Sequence, residues 1–201
     1  MASASIATTA STARARTARA FVLATLAAHV VALLVNDVSA ASTPISQLSR
    51  GSLSWLHTLG LVLLGAAWLL ITPSLWVRER TALWRAGCLL IGLSVPVLFY
   101  VAYYFATASD AELFSPNAND PLSVLASSLG VAMGAIQPGL RRINSSIARS
   151  NLLVLIVWIG LTPVIPFIEP GWLGAYERCV GALMLFWTWH LTNACESPDQ
   201  A

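Results

Sequence analysis

Glu177 and Arg178 stand side by side inside WLGAYERCVGALMLFWTWHL (Trp172–Leu191), a stretch otherwise long and apolar enough to cross a bilayer. About 20 helical residues at 1.5 Å rise cover the roughly 30 Å hydrocarbon core. An acid and a base about one and a half turns inside such a segment are expensive in lipid, so they should face protein, water or each other. His57 lies at a similar depth in the run Leu53–Thr72, beside Thr58 and below Trp55, and Asp37 and Arg50 lie in the connector before it. If the second and sixth runs are neighbours, His57 can meet Glu177 in a polar pocket at the outer third of the membrane, with Arg178, Arg50 and Asp37 around it. Such a cluster suits a lipid head group, an ion or a proton. The competing reading is that Glu177 and Arg178 pair with loop groups and pin the mouth of a bundle. His29, near the middle of the first apolar run, fits either a neutral ring hydrogen-bonded between helices or a proton relay with Thr25 and Asn36. His190 sits beside Trp189 near the inner boundary, where it snorkels to water. Tyr100, Tyr103 and Tyr104 read as interfacial anchors.

The elements that position these residues follow from composition. The chain has 201 residues, 57% of them hydrophobic and 10% charged, where a soluble domain carries about 25% charged residues. Its solvent must therefore be largely lipid. The expected architecture is all-α, a six-transmembrane-helix bundle with spans at 20–36, 53–72, 86–105, 121–137, 151–168 and 172–191. Residues 1–19, rich in Ala, Ser and Thr, read as a disordered tail, and 193–201 as a short tail. Arg14, Arg16 and Arg19 before the first run, with Val38-Ser39-Ala40 after it, also resemble a signal peptide with a cleavage site. The helix reading rests on Ala20, Ala24, Ala28 and Ala32, which recur every fourth residue as a strip for close packing. Ala126, Gly130 and Gly134 form a second such strip in the weak fourth span. Pro96 is expected to kink the third.

The arginines orient the bundle. With no Lys anywhere, Arg14, Arg16, Arg19, Arg78, Arg80, Arg85, Arg141, Arg142 and Arg149 fall on one side if all six runs span, against Arg50 on the other side. Asp37, Asp110, Glu112, Asp120 and Glu169 share the side of Arg50. This positive-inside pattern places both termini in the cytoplasm. A net charge of +2 on scattered arginines argues against nucleic acid as a partner. Cys88, Cys179 and Cys195 lack ligand spacing, and no nucleotide, metalloprotease or nucleophile-elbow motif occurs, so neither a metal nor a cofactor is expected.

Two segments carry a resemblance. ISQLSRG (Ile45–Gly51) with SLSWLHTLGLVLLG (Ser52–Gly65) resembles the opening of the DUF998 family, and WLGAYERCVGALMLFW (Trp172–Trp187) is similar to that family's last helix, with Glu-Arg after a Gly. These are bacterial and archaeal multi-pass membrane proteins of unknown function. The resemblance implies a fold, a prokaryotic plasma-membrane location and a role for Glu177 and Arg178. The loop before the fourth span has no His where such proteins often carry one, which argues against an inherited metal or hydrolase site. Three function classes follow: a non-enzymatic protein that binds a lipid or small ligand or assists assembly, a small transporter or channel subunit, and an enzyme acting on lipid head groups. The first is favoured, because the middles of spans two, three and five are almost wholly apolar and the candidate catalytic set is thin. Membrane lipid, and a partner membrane protein or a second copy, are the expected partners.

Overall fold

The computed structural model describes residues 2–35, 54–107 and 121–196. Asn36, Asp37, Arg50 and the acidic stretch 108–120 lie outside the described residues. Those described contain no strand and fold as six α-helices: α1 (Ala2–Val35), α2 (Ser54–Trp76), α3 (Ala82–Thr107), α4 (Pro121–Ile143), α5 (Ser145–Leu161) and α6 (Leu173–Glu196). Short 3-10 segments, Thr162–Phe167 and Pro170–Trp172, join α5 to α6. Each helix packs on its chain neighbour, α1 also packs on α6, and α2 reaches α6 across the middle, so the six form a closed ring. Short connections force antiparallel neighbours. The tightest is a single residue, Asn144, whose Oδ1 accepts from the N–H groups of Ser146 (2.9 Å) and Ile147 (3.2 Å) and so caps α5.

Four helices are long and apolar enough to cross a bilayer: they contain the spans Ala10–Val35, Trp55–Trp76, Ala82–Tyr104 and Ser123–Ile143. At 17 residues α5 is shorter, and α6, with 24, carries Glu177 and Arg178 in its apolar sequence. The outward faces are greasy: Leu93 is 63% exposed, Leu153 61% and Phe167 83%. Inside the ring, Trp68, Trp84 and Trp187 are fully buried among Leu64, Ile71, Leu129 and Met133.

Several boundaries differ from the sequence expectation. Helix α1 runs back to Ala2 rather than starting at 20, because Ala15 and Ala18 are buried in the bundle and Ser11 Oγ donates to the Cys195 carbonyl (3.3 Å). Helix α4 continues through Pro138 to Ile143, placing Arg141 and Arg142 in its last turn, where the helix dipole favours cations. Pro163 and Pro166 convert the end of the fifth run to 3-10 helix. The alanine strip also divides: Ala28 and Ala32 are buried, while Ala20 and Ala24 are exposed. A four-residue repeat drifts by roughly 40° per step, or roughly 120° from Ala20 to Ala32. The buried line is Ala15, Ala18, Val22, Thr25, Ala28 and Ala32, with mixed spacings of three and four that stay on one face. Gly130 and Gly134 both face α5, where an added Cβ would lie 3.3 Å from Trp158 and 4.0 Å from Leu155.

The arginine-bearing end of the ring is tightly tied. Arg19 pairs with Glu196 (2.6 Å), donates to Thr192 Oγ1 (2.7 Å) and Asn193 Oδ1, and stacks on Trp189, joining α1 to the end of α6. Arg78 donates to the Cys195 carbonyl. Glu79 pairs with Arg142 (3.2 Å), and Trp84 Nε1 donates to the Leu75 carbonyl (2.8 Å), closing the α2–α3 turn.

Candidate functional site

At the opposite end the ring encloses a cavity of about 510 Å³ to which all six helices contribute. Binding sites for small ligands typically measure about 300–1,000 Å³. Its deeper wall is apolar, formed by residues such as Leu64, Leu98, Leu129 and Met184. Its ionisable groups are His29, His57, Tyr176, Glu177 and Arg178. His57 is the fourth residue of α2, and Glu177 and Arg178 are the fifth and sixth of α6, so they gather within two turns of one end. The structure therefore brings His57, Glu177 and Arg178 to one cavity. Asp37 and Arg50, from the same sequence cluster, lie outside the described residues.

The two histidines form one unit. His29 Nδ1 lies 2.8 Å from the Thr25 carbonyl oxygen, and its Nε2 lies 3.1 Å from His57 Nδ1. A carbonyl only accepts, so His29 carries its proton on Nδ1 and, when neutral, presents Nε2 as an acceptor. His57 then donates from its own Nδ1. The rings meet edge to face, 82° apart with centroids at 5.0 Å. Two features place them. Gly60 lacks the Cβ that would lie 2.5 Å from His29 Cε1, and Thr25 Oγ1 donates to the Gly60 carbonyl (3.0 Å), locking α1 against α2 at that level. His29 thus meets Thr25 through the backbone carbonyl, its second partner is another imidazole, and Asn36, the other member of the relay reading, lies outside the described residues.

A second polar group, unnoticed in the sequence, fixes the helices below the cavity. Asn151 Nδ2 donates to Gln137 Oε1 (2.6 Å) and to the Met133 carbonyl (3.0 Å), while Asn151 Oδ1 accepts from Trp187 Nε1 (2.8 Å). Gln137 Nε2 donates to the Ala148 carbonyl (3.0 Å), and Trp68 Nε1 to Thr188 Oγ1 (3.0 Å). All are buried, so the network sets the order of α4, α5, α6 and α2. One signal was available: Gln137 ends one apolar run and Asn151 opens the next, which places them at equal depth, the same criterion that linked His57 to Glu177. Trp158 was missed altogether. It lines the cavity, and its Nε1 donates to the Ala126 carbonyl (3.0 Å).

His190 stands apart from this site, tilted against Phe186 at 4.3 Å between ring centroids, and Tyr100 stacks on Tyr104 at 6.2 Å. Among the described residues no group of three or more His, Cys, Asp or Glu side chains could hold a metal ion. The cavity can hold an apolar body with a polar end set against the histidines and the Glu-Arg pair. Comparison with family models, with curated proteins and with solved structures finds no match to this chain.

Proposed function

We propose that the protein is a six-span membrane bundle that binds a lipid or small amphiphile in its central cavity without chemical turnover. The observation that carries this reading is the cavity of about 510 Å³, apolar along its depth and ionisable at one end. Helices α1 to α4 have the length and composition to span. For α5, 17 residues cover about 26 Å and the six-residue 3-10 extension adds about 12 Å, enough for the hydrocarbon core. In α6 the Glu-Arg pair turns to the cavity rather than to lipid, which removes the main objection to a sixth span. On this reading the arginines favour a cytoplasmic side for the tied end and both termini, with the cavity on the outer side, and the resemblance suggests a prokaryotic plasma membrane. A member of the DUF998 family would have this layout.

The test is retention of a bound amphiphile. Protein purified from membranes in dodecyl maltoside and examined by native mass spectrometry should carry a lipid-sized adduct, and a double variant His57→Ala with Glu177→Ala should lose it while remaining folded. Equal retention by the variant refutes the site. Specific solute flux through reconstituted vesicles would replace binding with transport. Orientation has its own test: on intact cells an impermeant reagent should modify a tag within residues 108–120 and spare one at the carboxyl end.

A further inference from the structure

We propose that the ligand is a glycerophospholipid that enters sideways from the bilayer, its acyl chain passing between α4 and α5. This rests on the membrane-bundle reading above and adds a route and a ligand class to it. A groove of about 480 Å³ runs along the outside of the ring between these helices. Ala126, Ser127, Trp158 and Thr162 line both the groove and the central cavity, so a single layer of side chains separates the two spaces.

That layer is thin for identifiable reasons. Gly130 offers no side chain, so the Trp158 ring approaches α4 closely: a Cβ there would lie 3.3 Å from its Cδ1. One hydrogen bond holds it, from Nε1 to the Ala126 carbonyl (3.0 Å). Displacing this one ring would widen the communication between groove and cavity. Other seams carry ties of their own. Thr25–Gly60 and the histidine pair tie α1 to α2, and Asn151–Trp187 ties α5 to α6. Further along, α4 and α5 are themselves joined, by Gln137 to Ala148 and by Asn151 to Met133. The α4–α5 seam is thus zipped at the arginine end, and at the cavity end Trp158 is the largest of the four side chains that stand between groove and cavity.

The chemistry of the path selects its occupant. The rim of the groove is apolar, with Val131 and Ile159 each 61% exposed, and no charged residue lines it. A hydrated solute has no reason to enter there, whereas an acyl chain crosses it without losing water. The charged groups Glu177 and Arg178 line the cavity. One acid and one base match the ammonium and phosphate of a zwitterionic head group.

The experiment uses full-length protein in phosphatidylcholine vesicles holding a trace of phosphatidylcholine with a diazirine near the end of one acyl chain. Irradiation should attach the probe to cavity residues such as Met184 and Leu129. Val131→Trp, which fills the groove from an exposed position that does not line the cavity, should cut this labelling about tenfold, the loss of two buried methylene contacts, and Val131→Ala should not. Ile159→Trp serves as a second plug. A diazirine-bearing dihexanoyl phosphatidylcholine, added from water, should still label the cavity in both plugged variants. If the plugs leave long-chain labelling unchanged, the lateral route is wrong while ligand binding stands. If neither probe labels the cavity of the wild-type protein, the binding site itself is wrong and the route falls with it.

Discussion

Gly60→Ala should reverse the sign of its effect according to whether His29 is present. In the native protein the added methyl would sit 2.5 Å from His29 Cε1 and 2.8 Å from Nδ1. The ring is held on both sides, by the Thr25 carbonyl and by His57, so it can yield only by giving up those bonds. Overpacking costs about 1–3 kcal/mol, and the lost imidazole bond adds about 1 kcal/mol. The single variant should therefore be destabilised by about 2–4 kcal/mol. In a His29→Ala background the same methyl enters vacated space. There the greater helix propensity of Ala over Gly, about 1 kcal/mol, decides the sign, and Gly60→Ala should stabilise. The resulting coupling, about 3 kcal/mol or more, is far above the few tenths expected of independent sites. Unfolding in mixed dodecyl maltoside and dodecyl sulfate micelles, followed by tryptophan fluorescence for the four proteins of the cycle, measures it. A cost for Gly60→Ala that is equal in both backgrounds would refute the claim that this glycine exists to seat the histidine pair.

Asn151→Leu should cost about 2–6 kcal/mol in the same assay, since it orphans both Trp187 Nε1 and Gln137 Oε1 at about 1–3 kcal/mol each, and it should exceed the cost of Trp187→Phe. Gly139→Ala drives a methyl into the Trp84 ring, which its bond to the Leu75 carbonyl holds in place, and should cost about 1–3 kcal/mol; Trp84→Leu should relieve it. Burial acts to raise the pKa of Glu79, but hydrogen bonds from Arg142 and from the N–H groups of Arg80 and Thr81, with the Arg142 charge, outweigh it and hold the carboxyl below its ordinary 4.5. Its contribution is therefore present above that value and lost as pH falls through the lower folded one; Glu79→Gln should flatten this acid limb, by less than about 1 kcal/mol because Arg142 is 60% exposed. Burial pushes the Cys195 thiol up to about 12, so N-ethylmaleimide at pH 8 should spare it until the protein is unfolded, as intact-mass measurement would show.

What the sequence discloses and what it hides divide along physical lines. Helices were legible because long apolar runs have few other options, and the grouping of His57 with Glu177 and Arg178 came from depth alone, since ionisable groups in apolar runs must seek company. Helix ends were less legible. Pro138 reads as a stop, yet α4 passes through it. The disordered tail expected at 1–19 rested on small, weakly apolar residues, and Ala15 and Ala18 are buried because smallness itself allows close approach to α6. The pairing of His29 with His57 could not be read at all, because it depends on Gly60, a residue informative only once the facing helix is known.

The two ends of the ring differ for a reason that bears on function. Apolar helices gain nothing from burial against one another in lipid, so packing and hydrogen bonds decide where they close. The arginine end is rich in such bonds: Arg19 to Glu196, Arg78 to Cys195, Glu79 to Arg142. Toward the cavity the ties among the described residues include Thr25–Gly60, the histidine pair, Tyr176 to the Leu161 carbonyl and Trp158 to the Ala126 carbonyl. The last of these crosses the α4–α5 seam, and a single side-chain rotation undoes it. A bundle built for stability alone would gain by filling the cavity with larger side chains at positions such as Gly181 and Ala182. Small residues where two ionisable groups have just entered the helix make sense if the space is meant to be occupied, and Gly181→Leu should therefore raise the unfolding midpoint while abolishing amphiphile retention. A variant that gained stability and kept its adduct would separate the cavity from binding.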